Sequence, residues 1–373
     1  MKRRIRSRNP RPAHAGLARL KNYEPGKPIE ELERELGVKN AVKLASNENP
    51  WGPSPAALRA MRKAAARVHR YPDAGAHLLR RELSRKFRVP TDRIVLGNGS
   101  DELIVMAMRA FVPPGSEIMT ATPTFLIYKI AGTVQGARVN EIPMKDFRYD
   151  LERMARAVSP ATRAIFIANP DNPMGTYVRE RELMKFMTSV PSRCLVFLDE
   201  AYFEYARGER GYPRSLSFWK RMPNLVIART FSKVYGLAGL RVGYAFAHPQ
   251  VADLLNRVRE PFNVNALAQA AAVAAISDEK FLRRVLASAK REKQILCAAL
   301  KKMNIPVLPS ATNFLILKIG SGAGRIYREL LAHGVIVRSM AGWGLDDYLR
   351  VTVGRPSENR RFLSALTTTM GRA

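Results

Sequence analysis

The chain is poor in the residues that build disulfide frameworks and metal centres. Its 373 residues include two cysteines, Cys194 and Cys297, and five histidines without metal-ligand spacing. We therefore expect no disulfide framework and a reduced compartment, the cytoplasm. No metal site is predicted, because His and Cys ligands normally recur at short, fixed intervals.

Long apolar runs are also missing. The nearest candidate is ALAQAAAVAAI at 266–276, which is shorter than the roughly 18 residues that a membrane-spanning helix requires. The basic N-terminus has no apolar stretch behind it and so does not resemble a secretory signal. Pro10 and Pro12 argue against an organelle transit peptide. We expect no membrane as a partner.

Acidic residues are scarce relative to basic ones. The chain has 62 Lys and Arg against 32 Asp and Glu, which gives a formal net charge of +30. Residues 1–22 carry eight of the basic residues and no acid, so most of the excess is spread along the chain. Such a charge attracts anionic substrates or nucleic acid, or it is a bias of surface composition without function. No nucleic-acid recognition module is visible, so no specific nucleic acid is expected.

Short apolar runs alternate with helical periodicity between about residues 50 and 250. The runs are RIVLGN, EIMTATP, ARVNEIP, AIFIANP, LVFLDEA, LVIART and RVGYAFA. Because these runs are apolar on both faces, they predict an α/β fold with a mostly parallel sheet covered by helices. From about residue 255, two long helical stretches (roughly 250–277 and 279–303) precede a mixture of short strands and helices, which predicts a smaller α+β domain.

These patterns predict four parts along the chain. They are a basic flexible arm (1–22), an N-terminal segment that packs on the small domain (23–49), a large domain (50–255) and a small C-terminal domain (256–373). Ligands of open parallel sheets bind beyond the carboxyl ends of the strands. The candidate site residues should therefore follow the predicted strands.

Three predicted strand ends carry polar motifs. GNGSDE (97–102) stands before a helix, where Ser100 or Asp101 would cap the helix and its N–H groups would attract an anion. NPDNPMGT (169–176) offers two amides, although a plain turn also favours Asn and Pro. LDEAYFEY (198–205) places Asp199 directly after an apolar run. A buried acid needs a partner, such as a protonated ring nitrogen; otherwise Asp199 is a capping carboxylate.

The motif TFSKVYGLAGLRVGY (230–244) contains a lone lysine, Lys233, among small and apolar residues. A lysine in a dry turn tends to have a lowered pKa, which makes it a nucleophile for carbonyl groups. Ser232 and Arg241 could hold a phosphate, the arginine through a charge-assisted fork. A strand-end acid, a lysine and a phosphate site in this order describe a site for pyridoxal phosphate.

With these motifs the chain resembles the fold-type I pyridoxal-phosphate aminotransferases, and among them more closely the histidinol-phosphate branch. The resemblance runs from about Tyr23 to Leu366 and is carried by YEPGKPIEELERELG, KLASNENPWGPSP, RYPDAGAHLLRREL, LGNGSDELI, ANPDNPMGT, LDEAYFEY, TFSKVYGLAGLRVGY and GWGLDDYLRVTVG. It implies a large domain with a mostly parallel seven-stranded sheet, and pyridoxal 5'-phosphate as the cofactor. It also implies small-molecule amino donors and keto acceptors, and a homodimer.

The resemblance implies a cofactor role for each matching residue. Lys233 binds the cofactor covalently and transfers the proton, Asp199 pairs with the ring nitrogen, and Tyr202 joins Asn172 at the ring's 3-oxygen. Phe125 stacks on the ring. The residues implied at the cofactor phosphate are Gly99, Ser100, Asp101, Ser232 and Arg241.

On the substrate side, the resemblance implies that Arg350 binds the substrate carboxylate. Tyr23, Asn47 and Arg338 match further substrate-side positions, and Arg338 would meet a substrate phosphate. Tyr71 resembles the tyrosine that reaches across the dimer to the partner's cofactor phosphate. The site would then need two chains.

Three positions depart from the family pattern. Met174 replaces the usual threonine of its loop, which indicates a change in packing, and Trp51 and Trp343 replace smaller residues or tyrosine near the predicted substrate mouth. The predicted reaction converts histidinol phosphate and 2-oxoglutarate to imidazole acetol phosphate and glutamate, a step of histidine biosynthesis. The alternatives are an aromatic amino-acid aminotransferase, a threonine-phosphate decarboxylase and a basic nucleic-acid-binding protein.

Overall fold

The structure is a computed structural model that describes residues 15–20 and 22–371. Most of the predicted basic arm therefore lies outside the described residues. The helices are α1 (Ala15–Arg19), α2 (Ile29–Leu36), α3 (Pro55–Ala65), α4 (His77–Phe87), α5 (Gly99–Phe111), α6 (Ile127–Val134), α7 (Leu151–Ala157), α8 (Glu180–Ser189), α9 (Phe203–Ala206), α10 (Ser215–Phe218), α11 (Pro249–Arg257), α12 (Ala266–Ser277), α13 (Glu279–Lys302), α14 (Ala323–Ala332) and α15 (Pro356–Met370). No helix in the described ranges is long and apolar enough to cross a membrane.

The strands form three sheets. They are β1 (Val42–Lys43), β2 (Ile94–Gly97), β3 (Glu117–Thr122), β4 (Arg138–Pro143), β5 (Thr162–Ala168), β6 (Leu195–Asp199), β7 (Leu225–Thr230), β8 (Gly243–Phe246), β9 (Phe314–Lys318), β10 (Val335–Ile336), β11 (Arg338–Ser339) and β12 (Tyr348–Thr352). The largest sheet has seven strands in the order β2-β8-β7-β6-β5-β3-β4. Its strands coincide with the seven predicted apolar runs, and only β8 runs antiparallel to its neighbours. The predicted fold class is confirmed.

Both faces of the large sheet are buried, as the two-sided apolar runs predicted. Along β6, Val196 and Leu198 belong to one hydrophobic cluster and Leu195 and Phe197 belong to another. Alternate side chains of a strand point to opposite faces. Each cluster is therefore the contact between one face of the sheet and the helices that cover it.

The other two sheets lie outside the large one, and the shorter of them joins the N-terminal segment to the C-terminal region. One is antiparallel with the order β11-β12-β9, and the other is the short parallel pair β1-β10. The helical stretch predicted at 250–277 is in fact two helices, α11 and α12. Pro261 lies in the gap between them, and Asn265 caps α12 by accepting a hydrogen bond from the N–H of Ala268. Proline cannot donate to a continuing helix, and Asn is a preferred N-cap, so the helix restarts there.

A buried ion pair joins the ends of β6 and β7 on one face of the sheet. The Nη2 of Arg229 lies 2.8 Å from the Oε2 of Glu200, and the two side chains are 1% and 0% exposed. The guanidinium also stacks on Phe203, 3.4 Å from the ring centroid. Glu204, a second buried acid nearby, has its pKa raised to about 7 by burial. Arg229 therefore lies in an apolar environment with one close carboxylate partner.

We expect Glu200→Gln to lower the free energy of unfolding by about 3 kcal/mol, because removal of one charge of a buried pair leaves the other uncompensated. Urea denaturation followed by circular dichroism measures this change. Glu152→Gln is the matched control, since Glu152 pairs with Lys185 at 2.6 Å on the surface, where both side chains are exposed. Equal losses in the two variants would contradict the expectation.

Candidate active site

A cavity of about 200 Å³ lies at the carboxyl ends of the parallel strands. Most of the predicted site residues line it, although they come from distant parts of the chain. These are Tyr23, Asn47, Ser100, Asp101, Phe125, Asn172, Asp199, Tyr202, Ser232, Lys233, Arg241 and Arg350. The predicted residues Gly99, Tyr71 and Arg338 are not among the lining residues.

Asp199, the last residue of β6, is the buried acid of the cavity. It is 5% exposed. Its Oδ2 accepts a hydrogen bond of 2.8 Å from the Tyr128 hydroxyl, and its Oδ1 accepts one of 3.0 Å from the N–H of Ala201. Burial raises the pKa of Asp199 to about 6. Among the described residues, no cation forms an ion pair with this carboxylate. Asp199 is thus held by neutral donors, and a cationic ligand group would stabilise its charged form.

Lys233 reaches into the same cavity from the turn after β7. Its Nζ donates a hydrogen bond of 3.4 Å to the carbonyl oxygen of Ser46 and lies 5.5 Å from the centroid of the Tyr202 ring. Within the described part of the chain, no carboxylate forms an ion pair with this amine. Its surroundings therefore leave the amine free to react with a ligand.

The turn that carries Lys233 is fixed by close contact with the segment 46–53. A Cβ atom at Gly236 would lie 2.2 Å from the carbonyl oxygen of Gly52, and the φ of Gly236 is +70°. Only glycine fits such a position without strain. The amide of Asn49 donates a hydrogen bond of 2.8 Å to the carbonyl oxygen of Val234. These contacts explain why a glycine follows the lysine.

The anion-binding end of the cavity combines the start of α5 with Arg241. The Nη2 of Arg241 lies 2.9 Å from the Oδ2 of Asp101, and its Nη1 donates to the Ser232 hydroxyl at 3.5 Å. Asn98 is the N-cap residue of α5, so the prediction that Ser100 or Asp101 caps this helix is wrong. Both residues instead lie in the first turn, where backbone N–H groups have no partner within the helix.

Gly99 lies next to the guanidinium of Arg241 at the anion-binding end of the cavity. Its φ is +80°, and a Cβ atom there would lie 2.4 Å from the Nη2 of Arg241. Gly99 thus leaves the space that the guanidinium of Arg241 occupies. This contact is the structural reason for the glycine.

Arg350 from β12 lies at the other side of the cavity and is buried. Its Nη2 donates a hydrogen bond of 2.8 Å to the carbonyl oxygen of Ala45, and its Nη1 donates to the Oδ1 of Asn172. Its Nε has no partner among the described residues. Nearby, the amide of Asn47 donates to the Tyr202 hydroxyl at 2.8 Å. The guanidinium is therefore fixed in position and retains a donor that is not used.

Tyr71 and Arg338 lie outside the cavity of this chain. Tyr71 is 83% exposed, and its ring stacks on Phe262 with the centroids 4.6 Å apart. Arg338 donates a hydrogen bond of 2.6 Å to the carbonyl oxygen of Glu24 and is the cross-strand partner of Arg350.

None of the three departures from the family pattern is among the residues that line the cavity. Trp51 packs over Arg355, with the guanidinium carbon 5.3 Å from its ring centroid. Trp343 donates a hydrogen bond to a neighbouring loop. Met174 is fully buried in a hydrophobic cluster with Tyr202, in agreement with the expected packing role. Neither tryptophan forms the wall of the cavity.

A second buried acid, Asp171, lies beneath the site and was not predicted. It is 0% exposed and accepts hydrogen bonds from the Thr124 hydroxyl and, at 2.8 Å, from the N–H of Met174. Burial raises its pKa to about 7. Its position in NPDNPMGT was visible in the sequence, but nothing there distinguished it from a turn residue. Tyr128 was missed because a tyrosine in an apolar helix has no recognisable pattern.

The comparison with protein families decides the identity of the chain. A family model described as aminotransferase class I and II matches residues 39–366. The chain belongs to this family. It is 48% identical over 350 residues to histidinol-phosphate aminotransferase 2 of Carboxydothermus hydrogenoformans, a match that covers 94% of this chain and 97% of that protein. It is 47% identical to histidinol-phosphate aminotransferase 1 of Nitrosococcus oceani, over 96% of each chain.

Solved structures of this aminotransferase family share the fold. Histidinol-phosphate aminotransferase from Sinorhizobium meliloti, solved in complex with pyridoxal-5'-phosphate, matches with a TM-score of 0.88 and 31% identity, over 96% of this chain and 97% of that one. An aspartate aminotransferase from Thermus thermophilus matches with a TM-score of 0.82 at 21% identity, over 96% of this chain and all of that one. The second match supports the fold alone.

We expect Asp171→Asn to reduce the pH dependence of stability. The folded protein keeps the Asp171 proton up to about pH 7, whereas the unfolded chain releases it near the ordinary aspartate value, so this residue lowers the free energy of unfolding as the pH rises from about 4 to about 7. The loss of unfolding free energy between about pH 5 and pH 8 should be at least about 1 kcal/mol smaller in the variant than in the parent.

Urea denaturation at each pH, without cofactor, measures both proteins. Glu204 has a similarly raised pKa and is present in both proteins, so its contribution cancels in the comparison. An unchanged pH dependence in the variant would show that Asp171 is ionised throughout this range.

Proposed function

We propose that the protein is a pyridoxal-phosphate-dependent histidinol-phosphate aminotransferase. The observation that carries the proposal is one cavity that holds Lys233, an amine without a counter-ion among the described residues, together with the buried acid Asp199 and the buried cation Arg350. The relatives with that name are 43–49% identical to the chain over more than nine tenths of its length. The proposed substrates are histidinol phosphate and 2-oxoglutarate.

The described residues fit this cofactor. Asp199 is a buried carboxylate without a cationic partner, as expected of a residue that pairs with a protonated ring nitrogen. The start of α5, the Ser100 and Ser232 hydroxyls and Arg241 would hold the phosphate. Asp101 would contribute by orienting Arg241, with which it pairs. Phe125 would flank the ring. When bound, pyridoxal phosphate supplies an electron sink for the negative charge that develops on the substrate Cα.

The other steps belong to side chains of this protein. Lys233 Nζ would take the proton from the substrate Cα as a general base and then, as a general acid, deliver it to the carbonyl carbon of the cofactor. Asn172 and the Tyr202 hydroxyl would fix the orientation of the ring's 3-oxygen. Tyr202 is itself held by the amide of Asn47. The proton transfer thus depends on Lys233, whose amine has no competing ion pair in the part of the chain that the structure describes.

The substrate anions would bind at Arg350, which lines the cavity and whose Nε has no partner among the described residues. The guanidinium would bind the carboxylate of glutamate or the phosphate of histidinol phosphate, because each group presents at least two anionic oxygens to a fork of N–H donors. Tyr23 lines the same side. Arg338 would add positive charge from the neighbouring strand. The +30 net charge favours the approach of such anions.

We also propose a homodimer located in the cytoplasm. Tyr71 and Phe262 are stacked aromatic rings that are 83% and 41% exposed. In the proposed dimer, the partner subunit would cover these two exposed rings. Tyr71 would then meet the cofactor phosphate of the partner subunit. A sedimentation mass equal to that of one chain, at the concentration used for activity assays, would overturn the dimer.

The function is tested by the absorbance spectrum of the purified protein with pyridoxal phosphate. We expect the band of the lysine-bound cofactor, its loss when L-histidinol phosphate is added, and its return with 2-oxoglutarate. Lys233→Ala removes the only amine placed in the cavity by the described residues and should abolish the band. Loss of the band with glutamate or phenylalanine, but not with histidinol phosphate, would move the substrate assignment. Release of carbon dioxide would indicate a decarboxylase, and absence of the band would overturn the proposal.

We expect Gly99→Ala to weaken the affinity for pyridoxal phosphate at least tenfold, because the added Cβ would lie only 2.4 Å from the Nη2 of Arg241 and would force the guanidinium to move. Titration of the cofactor band gives the dissociation constant. Gly115→Ala is the matched control, since Gly115 also has a φ of +80° but has no atom within 4 Å of the added Cβ. An equal change in both variants would attribute the effect to backbone strain and contradict a role for the Gly99–Arg241 contact.

A further inference from the structure

Trp343 joins two parts of the chain that carry opposite walls of the cavity. It lies in a short turn between β11 and β12, the strands that carry Arg338 and Arg350. Its indole N–H donates a hydrogen bond of 2.8 Å to the carbonyl oxygen of Thr124, a residue 219 positions away in sequence. Thr124 directly precedes Phe125, which lines the cavity. The bond thus links the C-terminal sheet to the loop after β3.

The ring of Trp343 also lies beside both arginines of the C-terminal sheet. Its centroid is 5.3 Å from the guanidinium carbon of Arg338 and 5.9 Å from that of Arg350. These arginines are direct cross-strand partners, and like charges in that position repel. An aromatic face within about 6 Å attracts a guanidinium. The ring of Trp343 therefore offsets the repulsion between the guanidinium groups of Arg338 and Arg350.

The contacts continue from Thr124 back to Arg350. The Thr124 hydroxyl donates to buried Asp171, and the next residue, Asn172, accepts a hydrogen bond from Arg350. These contacts form a closed circuit that runs from Trp343 through Thr124, Asp171 and Asn172 to Arg350 and back to Trp343. Every member except Trp343 and Arg350 belongs to the loops of the large sheet. A circuit of this kind fixes the distance between Arg350 and the wall that carries Phe125.

We propose that Trp343 is a positioning residue that sets the place of the substrate anion relative to the reacting centre. Trp343 does not line the cavity; it acts through Arg350, which it contacts, and through Phe125, whose loop it holds. The proposal rests on the proposed function, in which Arg350 binds a carboxylate or phosphate. Loss of the indole bond should weaken substrate binding more than cofactor binding, because Phe125 is one of several residues proposed to hold the cofactor, whereas Arg350 is proposed to bind the substrate anion.

The test compares Trp343→Phe with the parent holoenzyme. Phenylalanine keeps an aromatic ring beside the arginines and removes the N–H donor. We expect KM for L-histidinol phosphate to rise about fivefold, as for one lost hydrogen bond, with a smaller change in kcat and the same cofactor spectrum. In hydrogen–deuterium exchange without substrate, the amides of residues 124–130 should exchange about fivefold faster, with no change in α12 or β6.

Trp51→Phe is the matched control for the exchange measurement. Trp51 also lies over an arginine, Arg355, at 5.3 Å, and is 39% exposed, but no hydrogen bond of its indole is found among the described residues. This variant should leave exchange in residues 124–130 unchanged. Trp343→Leu, which removes both the donor and the ring, should raise KM further than Trp343→Phe.

The outcomes separate this proposal from the substrate assignment. Unchanged exchange of residues 124–130 in Trp343→Phe would overturn the link, whatever the substrate is. Faster exchange throughout the protein would show general destabilisation and would also overturn it. If the parent enzyme does not use histidinol phosphate, the proposed substrate fails, and KM is then measured with the amino donor that bleaches the cofactor band. A fall in kcat with an unchanged KM would contradict a role in placing the substrate.

Discussion

The geometry of the site depends on the buried ion pair between Glu200 and Arg229. Glu200 directly follows Asp199 at the end of β6, and Arg229 directly precedes Thr230 at the end of β7. The N–H of Glu200 also donates to the carbonyl oxygen of Ala228 at 2.8 Å. These bonds fix the ends of two neighbouring strands, and Lys233 follows one of them by three residues. The Glu200–Arg229 pair, on the opposite face of the sheet, therefore fixes the position of the Asp199 carboxylate relative to the Lys233 amine.

Two adjacent buried acids have different roles because their partners differ. Glu200 has a cation within 2.8 Å, so its charge is compensated inside the protein. Asp199 has the Tyr128 hydroxyl and one backbone N–H, both of them neutral. Strand alternation places the two side chains on opposite faces. Glu200 therefore stabilises the fold, while Asp199 has no cationic partner among the described residues and can pair with a cationic group of a ligand.

Much of the fold and of the cofactor side was predictable from the sequence. Two-sided apolar runs identified the strands of the large sheet, and the carboxyl ends of those strands brought Asp199, Asn172 and Lys233 together. The break between α11 and α12 was missed because the helical period continues through a region where Pro261 and the cap at Asn265 decide the structure. The helix cap at Asn98 was missed because three neighbouring polar residues had equal propensity. Local sequence patterns predict the presence of a helix or strand better than they predict the residues at which it begins and ends.

The contacts between distant segments could not be predicted from local patterns. The segment 46–53 meets the lysine turn at Ser46 and Asn49. Its Asn47 backbone N–H donates to the Thr352 hydroxyl at 2.9 Å, next to the strand position of Arg350. Such bonds leave no periodic pattern in the sequence, because their donor and acceptor come together only when separate sheets pack against each other. The lysine turn and the arginine strand are thus positioned through one shared segment, so the two walls of the candidate site are assembled together when the chain folds.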